Sequence, residues 1–282
     1  MGPVDDRITP LTRVVSVLVA PVLAVAGLML YGLPHATEML WAWPMGPPLT
    51  ALAVGGGYLA GALLFVRVAR ADRWHHVAVV FPAASMLTVL LLLATLLHWD
   101  LFSHGHVSFW AWLVVYLVTP ILLPTIWLLN RRHDPSAHPG DRLVSRWIRG
   151  LVGLAGALLT TAALLFFVWP GAAIVVWPWQ LTPLTARTLA AFLAFIGVLW
   201  LAFLVEARWS ALRLHVQCAA LGLLLVGLGA LRVPGDLTGT TAATATFAAL
   251  LTAAVIGLFA LDFAMRRATP TPAALADHGG TG

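Results

Sequence analysis

Apolar residues fall in eight long runs that are separated by short polar segments. We place the runs at about 14–33, 49–66, 76–98, 108–129, 148–169, 185–205, 211–231 and 243–265. Each run is close to the roughly 20 residues that an α-helix needs to cross a bilayer. The pattern therefore predicts an all-α integral membrane protein with eight transmembrane helices and no soluble domain of useful size.

Aromatic and polar residues around these runs recur in a second copy. The segment VVWPWQLTPLTAR at 175–187 resembles the earlier segment LWAWPMGPPLTAL at 40–52. Residues shared by the two copies, in these segments and in the stretches after them, are Trp41, Trp43, Pro48, Arg73 and Trp74 in the first, and Trp177, Trp179, Pro183, Arg208 and Trp209 in the second. Leucine- and alanine-rich sequence would not produce such matches, so spans 1–4 and 5–8 are predicted to be two copies of one four-helix unit.

The even number of crossings in each copy has a topological consequence. Both copies enter the membrane from the same side, so we expect parallel repeats related by a pseudo-twofold axis along the membrane normal. The predicted organisation is an N-terminal segment at 1–13, repeat 1 at 14–130, an Arg- and Pro-rich linker at 131–147, repeat 2 at 148–267 and a disordered tail at 268–282.

The repeated residues have structural interpretations. Indole rings prefer the depth of the lipid headgroups, so the Trp-x-Trp pairs predict an outer interfacial belt, with a tryptophan-lined mouth in each half as the functional alternative. Pro183 is expected in the first turn of a helix, with Thr182 as its N-cap. Gly57-x-x-x-Gly61 in span 2 predicts a close helix-packing face rather than a nucleotide-binding loop.

Composition and charge support a membrane protein and indicate its orientation. Of the 282 residues, 61% are hydrophobic and 10% are charged. The 16 basic residues are all arginine, and only Arg187 and Arg232 lie on the side opposite to the others. The positive-inside rule therefore predicts cytoplasmic termini, and lipid rather than nucleic acid as the surrounding partner. The lysine-free, alanine- and arginine-rich composition is typical of a GC-rich bacterial genome, which places the protein in a cell inner membrane.

The first run admits another interpretation. Arg7, Arg13, the apolar run and the small-residue pattern AVA at 24–26 are also features of a cleavable signal peptide. The run continues to Leu33, which is long enough to span the membrane and be retained, and its place in the first repeat favours retention.

Recognisable catalytic motifs do not occur in the sequence. There is no Gly-x-Ser-x-Gly, His-Glu-x-x-His or phosphate loop, and Cys218 is the only cysteine. Two acidic residues lie within the apolar runs, Glu206 and Asp262, each at the cytoplasmic end of a span. Arg208 and Arg266 are within their reach, so interfacial ion pairs are expected. A proton-coupled carrier would be expected to place a carboxylate deeper in the membrane. The sequence therefore favours a protein that is not an enzyme.

The loop between spans 3 and 4, LHWDLFSHGHVSFW, concentrates metal-binding residue types on the predicted outer side. These residues are His98, Asp100, His104 and His106. Imidazole and carboxylate groups suit zinc or copper, so they are candidate metal ligands. Their spacing matches no closed structural site, and ordinary interfacial histidines are the alternative. Only Asp100 has a counterpart in the second copy, Asp236, so any such site would belong to the first copy.

Three functions remain open. The first is a non-enzymatic scaffold, accessory subunit or small-molecule-binding helix bundle; the second is a transporter or channel for an apolar or anionic solute at the repeat interface, with Arg187 and Arg232 as outer charges; the third is a metal-binding membrane protein. Pro120 and Pro124 predict a kink or local unwinding in span 4 that span 8 lacks, which argues against transport. A tightly packed repeat interface would favour the first function. A membrane-protein partner or a second copy of the chain is also left open.

Overall fold

The computed structural model describes residues 6–131 and 141–267. These residues form an all-helical bundle without β-strands, apart from two isolated bridges, and eight of the helices are long and apolar enough to span a membrane. The predicted all-α architecture and the number of spans are therefore confirmed, and the chain is a multi-pass membrane protein by these criteria. Residues 132–140 of the predicted linker, the predicted tail and the first five residues lie outside the described residues.

Ten α-helices follow one another within residues 6–131 and 141–267. They are α1 (Pro10–Gly32), α2 (Thr37–Leu40), α3 (Pro48–Arg70), α4 (Val80–Leu97), α5 (Val107–Asn130), α6 (Arg146–Val168), α7 (Pro170–Val176), α8 (Pro183–Val205), α9 (Trp209–Arg232) and α10 (Thr241–Arg267). All but the short α2 and α7 are spanning helices. We call the end of the bundle that holds Arg73 and Arg208 the arginine end, and the end that holds Trp43 and Trp179 the tryptophan end.

The predicted cap of α8 is present. The Thr182 hydroxyl accepts a hydrogen bond from the Thr185 amide at 3.2 Å, and the Thr182 amide donates to Thr185 Oγ1 at 2.8 Å, which together form a capping box. Pro183 occupies the first turn, where its missing amide hydrogen leaves no bond unmade. The start of α3 is capped differently, because the Leu49 amide donates to Asp236 Oδ2 at 2.8 Å, across the two halves of the chain.

The spanning helices pack in pairs. Helix α1 packs on α3 and α6 packs on α8, while α3 lies against α9 and α4 lies against α8 between the halves. Helix α5 packs on α4, and α10 packs on α9. Helix α3 is the most buried of the spanning helices, and α10 is the most exposed. The core therefore lies along α3 and α8, and the exposed apolar faces belong to the peripheral helices.

Small residues allow the closest helix pairs to form. A Cβ atom at Gly156 would lie 2.6 Å from the Leu201 amide nitrogen on α8. On α3, a Cβ at Gly57 would lie 2.7 Å from the Phe192 ring, and the Gly61 position faces Leu23 of α1 at 3.3 Å. The predicted packing role of the two α3 glycines is confirmed, since they admit neighbours from α8 and α1.

The acids at the arginine end pair with arginines, as predicted. Arg208 Nη2 lies 2.6 Å from Glu206 Oε2, and Arg266 Nη2 lies 2.6 Å from Asp262 Oδ2. Burial by itself raises the pKa of Glu206, but hydrogen bonds from the Arg208 side chain and backbone outweigh burial and hold this pKa below its ordinary value. These carboxylates therefore serve as ion-pair partners at a helix end.

The prolines within spanning helices do not interrupt them. Pro120 and Pro124 lie inside α5, which is a single α-helix of 24 residues, and Pro21 lies inside α1. Local unwinding, one of the two outcomes predicted for span 4, does not occur.

Candidate functional site

The tryptophans of the tryptophan end are packed in protein. Trp41 is 5% exposed, and Trp43 and Trp179 are each 2% exposed. Trp43 packs on Trp112 of α5 with ring centroids 4.8 Å apart, and Trp179 packs on Phe247 of α10 at 5.5 Å. The rings stand at helix ends, as the interfacial belt requires, but they bury their apolar area against one another instead of facing lipid.

The Arg-Trp pairs of the arginine end have a structural role as well. Trp74 is fully buried and Trp209 is 5% exposed. The backbone beside each tryptophan forms an isolated antiparallel bridge, of Arg73 with Arg7 and of Arg208 with Leu143. These pairs therefore fasten the segment that precedes α1 or α6 to the segment that follows α3 or α8. Trp177, the remaining repeat tryptophan, is half-buried.

A pocket opens beside the aromatic core, between α1 and α5. Its volume is about 380 Å³, within the range of roughly 300–1,000 Å³ that is typical of small-molecule sites. Trp41 and Tyr58 form its inner wall, and its rim includes exposed side chains of Val22, Val25 and Ala111. Because those rim residues lie on the outer faces of spanning helices, the pocket opens sideways, toward the lipid around the bundle. The described residues that line it include no charged side chain.

The two helices that flank the pocket are joined at the arginine end. The fully buried Asn130, the last residue of α5, donates from Nδ2 to Thr12 Oγ1 at 3.0 Å and accepts from the Thr9 amide at 3.3 Å. The same Nδ2 also donates to the Ile126 carbonyl at 2.7 Å, within α5. The pocket thus lies toward the tryptophan end of a groove that is closed at its other end.

Four polar side chains line this apolar pocket. The hydroxyls of Tyr58 on α3 and Tyr116 on α5 lie 2.8 Å apart. Trp41 Nε1 and Ser108 Oγ are buried and have no hydrogen-bond partner within the described ranges 6–131 and 141–267. A pair of hydroxyls that forms one mutual hydrogen bond uses one of its two O–H protons, so the second O–H is not engaged in that bond. These polar atoms are buried behind the walls, so the surface that the pocket presents is almost wholly apolar.

The second half of the chain lacks the tyrosines. At the offset that aligns the two Pro-Leu-Thr-Ala segments, Tyr58 corresponds to Leu193 and Tyr116 to Leu251. The chain has three tyrosines, and the third, Tyr31, also lies in the first half. This uneven distribution is the one sequence signal that marks the pocket, and the search for motifs and charges missed it.

The structure does not gather the predicted metal ligands. His106 Nδ1 lies 2.9 Å from the Trp41 carbonyl oxygen, and the His104 ring packs edge-on against Phe109 at 4.7 Å. Asp100 is exposed. Within the described part of the chain, no three His, Cys, Asp or Glu residues are placed to hold a metal ion. The histidine rings fail to converge because they fasten their loop to the aromatic core at separate points.

His98, the fourth predicted ligand, meets Arg187. Arg187 Nη1 donates to His98 Nε2 at 2.7 Å, and Arg187 Nε donates to the Phe167 carbonyl at 3.0 Å. An imidazole nitrogen can accept a hydrogen bond only when it carries no proton. Burial and the charge of Arg187 both lower the pKa of His98, so the neutral ring is favoured. The pair connects the start of α8 to the end of α4.

Arg232, the other predicted outer charge, is bound elsewhere. Its Nη1 donates to the Tyr31 carbonyl at 2.6 Å, and its Nη2 donates to the Gly32 carbonyl at 3.4 Å, at the end of α1. Arg187 instead contacts the ends of α4 and α6. The two arginines therefore cap different helix ends with their donors, which suits the partial negative charge of a helix C-terminus.

No protein-family model, curated protein or solved structure matches this sequence. The assignment of a function therefore depends on the geometry of the pocket.

Proposed function

We propose that this chain is a non-enzymatic membrane protein that binds an uncharged, apolar small molecule in the pocket between α1 and α5. The observation that carries this proposal is a lateral opening of about 380 Å³ that has apolar, partly aromatic walls and no charged side chain in its described lining.

The bundle is proposed to consist of two parallel four-helix units related by a pseudo-twofold axis. Paired contacts support this arrangement, since α1 on α3 matches α6 on α8, and α3 against α9 matches α8 against α4. Backbone hydrogen bonds are paired in the same way. The Trp74 amide donates to the Asp6 carbonyl and the Trp209 amide donates to the Arg142 carbonyl, each at 2.8 Å. The tyrosines of the pocket occur in one unit only, so we infer that the pocket arose after the duplication.

The arginine end is proposed to face the cytoplasm of a bacterial cell. The excess of arginine at this end supports that orientation, because positively charged loops are retained on the cytoplasmic side of an inner membrane. The pocket then lies toward the outer leaflet.

Tight packing between the halves favours binding over transport through the repeat interface. A Cβ atom at Gly56 of α3 would lie 3.0 Å from Leu225 Cβ on α9, and one at Gly229 would lie 3.0 Å from Leu52 Cβ on α3. Such close approach leaves little room for a solute at these levels. The proposed site therefore lies on the side of the first unit and not between the units.

Photolabelling tests the proposed function. The protein in lipid nanodiscs is exposed to hexadecyl diazirine, an uncharged apolar probe, and adducts are mapped by mass spectrometry. Adducts should concentrate on the pocket faces of α1 and α5, and Ala111→Phe, which fills the opening, should reduce them severalfold. Leu154→Phe on the exposed face of α6 is the matched control and should leave them unchanged. Equal labelling of all lipid-exposed helices, insensitive to Ala111→Phe, contradicts the proposal.

A further inference from the structure

A cluster of polar residues joins α9 to α10 about one helical turn inside the arginine end. The buried Asp262 carboxylate on α10 accepts hydrogen bonds from Gln217 Nε2 on α9 at 3.0 Å and from Arg266 Nε at 2.7 Å. Arg213 of α9 lies beside the same carboxylate, with its Nε 3.9 Å from Asp262 Oδ1. Two arginine head groups from neighbouring helices are therefore held close to each other.

The cluster keeps an excess of positive charge. Arg266 binds the Asp262 carboxylate through Nε and Nη2, whereas the 3.9 Å contact of Arg213 exceeds the roughly 3.2 Å of a hydrogen bond. Arg213 donates no hydrogen bond to any residue within 6–131 and 141–267, and its side chain is 51% exposed. Arg267 adds a third guanidinium, whose Cζ lies 4.1 Å from the centroid of the exposed Phe263 ring. Three arginines thus share one carboxylate in the described part of the chain.

Among the described residues, the first half of the chain has no such cluster between the corresponding helices, α4 and α5. At the offset that aligns the two Pro-Leu-Thr-Ala segments, Arg266 corresponds to Arg131, whose guanidinium lies 5.1 Å from the centroid of the Trp127 ring. The other three members, Arg213, Gln217 and Asp262, correspond to Ala78, Pro82 and Trp127. Helices α4 and α5 pack on each other without these polar groups. Packing of a helix pair at this position therefore does not depend on such a cluster, and its excess charge suits an anionic ligand.

An apolar surface that is open to lipid lies next to the cluster. Helix α10 is the least buried of the spanning helices. Its Phe259 and Phe263 side chains are 51% and 55% exposed, and they lie one turn apart on the face that ends at Arg267. A cationic site that borders an exposed apolar face matches a molecule with an anionic group and long apolar chains.

We propose that Arg213 and Arg266 bind the phosphate group of an anionic phospholipid between α9 and α10. A guanidinium presents its N–H groups in a planar fork that matches phosphate oxygens, and basic sites between transmembrane helices bind anionic lipid headgroups. Asp262 positions the two arginines, and the acyl chains lie along the phenylalanine face of α10. The pocket between α1 and α5 lies toward the other end of the bundle, so this inference does not rest on the function proposed above.

Two other sources of phosphate fit the cluster less well. A phosphatidylcholine headgroup carries its own cation, which offsets the attraction of its phosphate to the arginines. Inorganic phosphate has the charge but no apolar part, so it gains nothing from the exposed face of α10. An anionic phospholipid matches both features of the site.

Native mass spectrometry of the protein in detergent measures the binding of added lipids. The probes are phosphatidylglycerol, phosphatidylcholine with the same acyl chains, and inorganic phosphate, and a polyglutamate peptide serves as a competitor. Arg213→Gln removes one charge from the cluster. Arg131→Gln is the matched control, because it removes one charge from the same end of the bundle, where Arg131 lies over Trp127 and outside the cluster.

Phosphatidylglycerol should bind the wild-type protein more tightly than phosphatidylcholine does. Arg213→Gln should weaken the binding of the first phosphatidylglycerol molecule about three- to tenfold, and Arg131→Gln should leave it nearly unchanged. Arg213→Lys keeps the charge without the planar fork, so it should restore part of the loss. Cys218 is the only cysteine and is 5% exposed, so its reaction with a thiol-reactive dye reports unfolding and checks that each variant is folded.

Four results would overturn the inference. Equal weakening by Arg213→Gln and Arg131→Gln would assign the binding to the general charge of the arginine end. Equal affinity for the two lipids would show that the charge of the headgroup is not recognised. Displacement of phosphatidylglycerol by inorganic phosphate at equal concentration would assign the cluster to a soluble anion, and displacement by polyglutamate would assign it to an acidic protein segment.

Discussion

The hydroxyls of Tyr58 and Tyr116 lie 2.8 Å apart and connect α3 to α5 across the inner wall of the pocket. Both side chains are 4% exposed, so their mutual hydrogen bond forms away from water. Helix α5 otherwise packs chiefly on α4. This contact therefore helps to fix the position of α5 and with it the width of the opening beside α1.

Removal of one tyrosine hydroxyl should destabilise the bundle. Tyr58→Phe or Tyr116→Phe leaves the other hydroxyl buried without its partner, so the free energy of unfolding should fall by about 0.5–2 kcal/mol, since hydrogen bonds inside membrane bundles are modest. The double variant should lose less than the sum of the single losses, because the second substitution removes the orphaned group. Reversible unfolding in SDS, followed by dye reaction at Cys218, measures these values. Strict additivity of the two changes would count against the contact.

Alanine in place of Gly156 on α6 should destabilise the protein far more than alanine in place of Gly150 on the same helix. Gly156→Ala places a Cβ atom 2.6 Å from the Leu201 backbone nitrogen, which cannot move away as a flexible side chain can. Overpacking of this kind should lower the free energy of unfolding by about 1–3 kcal/mol. Gly150→Ala on the same helix meets no atom within 4 Å and is the control. It should leave stability unchanged or raise it slightly, and a similar loss in both variants would contradict the packing of α6 on α8.

The contact of Arg187 with His98 should be detectable as a lowered pKa of His98. The pKa of His98 is lowered from 6.5 by burial and by Arg187. The unfolded state therefore binds the proton first as pH falls. The stability that the neutral His98 ring contributes is fully present above about pH 6.5. It is lost as the pH falls from that value to the pKa of His98 in the folded state. Arg187→Leu should raise the folded pKa and narrow this interval.

An NMR titration of selectively labelled histidine measures the His98 pKa in each variant. Arg232→Leu is the matched control, because Arg232 contacts the end of α1 and not His98. An unchanged pKa in Arg187→Leu, or an equal rise in both variants, would show that Arg187 does not act on this ring.

The orientation of the bundle can be tested with single cysteines. Cys218→Ala removes the natural thiol, and new cysteines replace Gly105 at the tryptophan end and the exposed Asp72 at the arginine end. A membrane-impermeant maleimide added to intact cells should label the first position and spare the second, as the proposed cytoplasmic arginine end requires. The reverse pattern would invert the orientation.

The spans were predictable from the sequence because their causes are local. A run of apolar residues fixes a spanning helix wherever it lies, and the Thr182 cap depends on residues three positions apart. The burial of Trp41 and Trp43 was not predictable, since it depends on α5 and on the loop before it, which pack over these rings. An indole at a helix end looks the same in sequence whether lipid or protein covers it.

The pocket escaped sequence reasoning for a related reason. Its opening depends on a gap between α1 and α5, which are far apart in sequence and packed on different neighbours. In the sequence, Tyr58 lies beside a cluster of glycines. Helix packing is a sufficient explanation for that cluster, so nothing in the segment indicated a pocket. The histidine loop led to the opposite error, because its residue types predicted a shared metal ion. Tertiary contacts instead direct His98 and His106 to separate partners.

Native mass spectrometry of the protein released from its own membrane tests the central claim most directly. The wild-type protein should retain one small apolar molecule per chain after detergent washing, and Ala111→Phe should lose it while Leu154→Phe keeps it. Retention of a single neutral compound that depends on the open pocket is the predicted result. An empty wild-type protein, or the same bound mass in the wild type and in Ala111→Phe, would contradict the assignment of this pocket as a binding site.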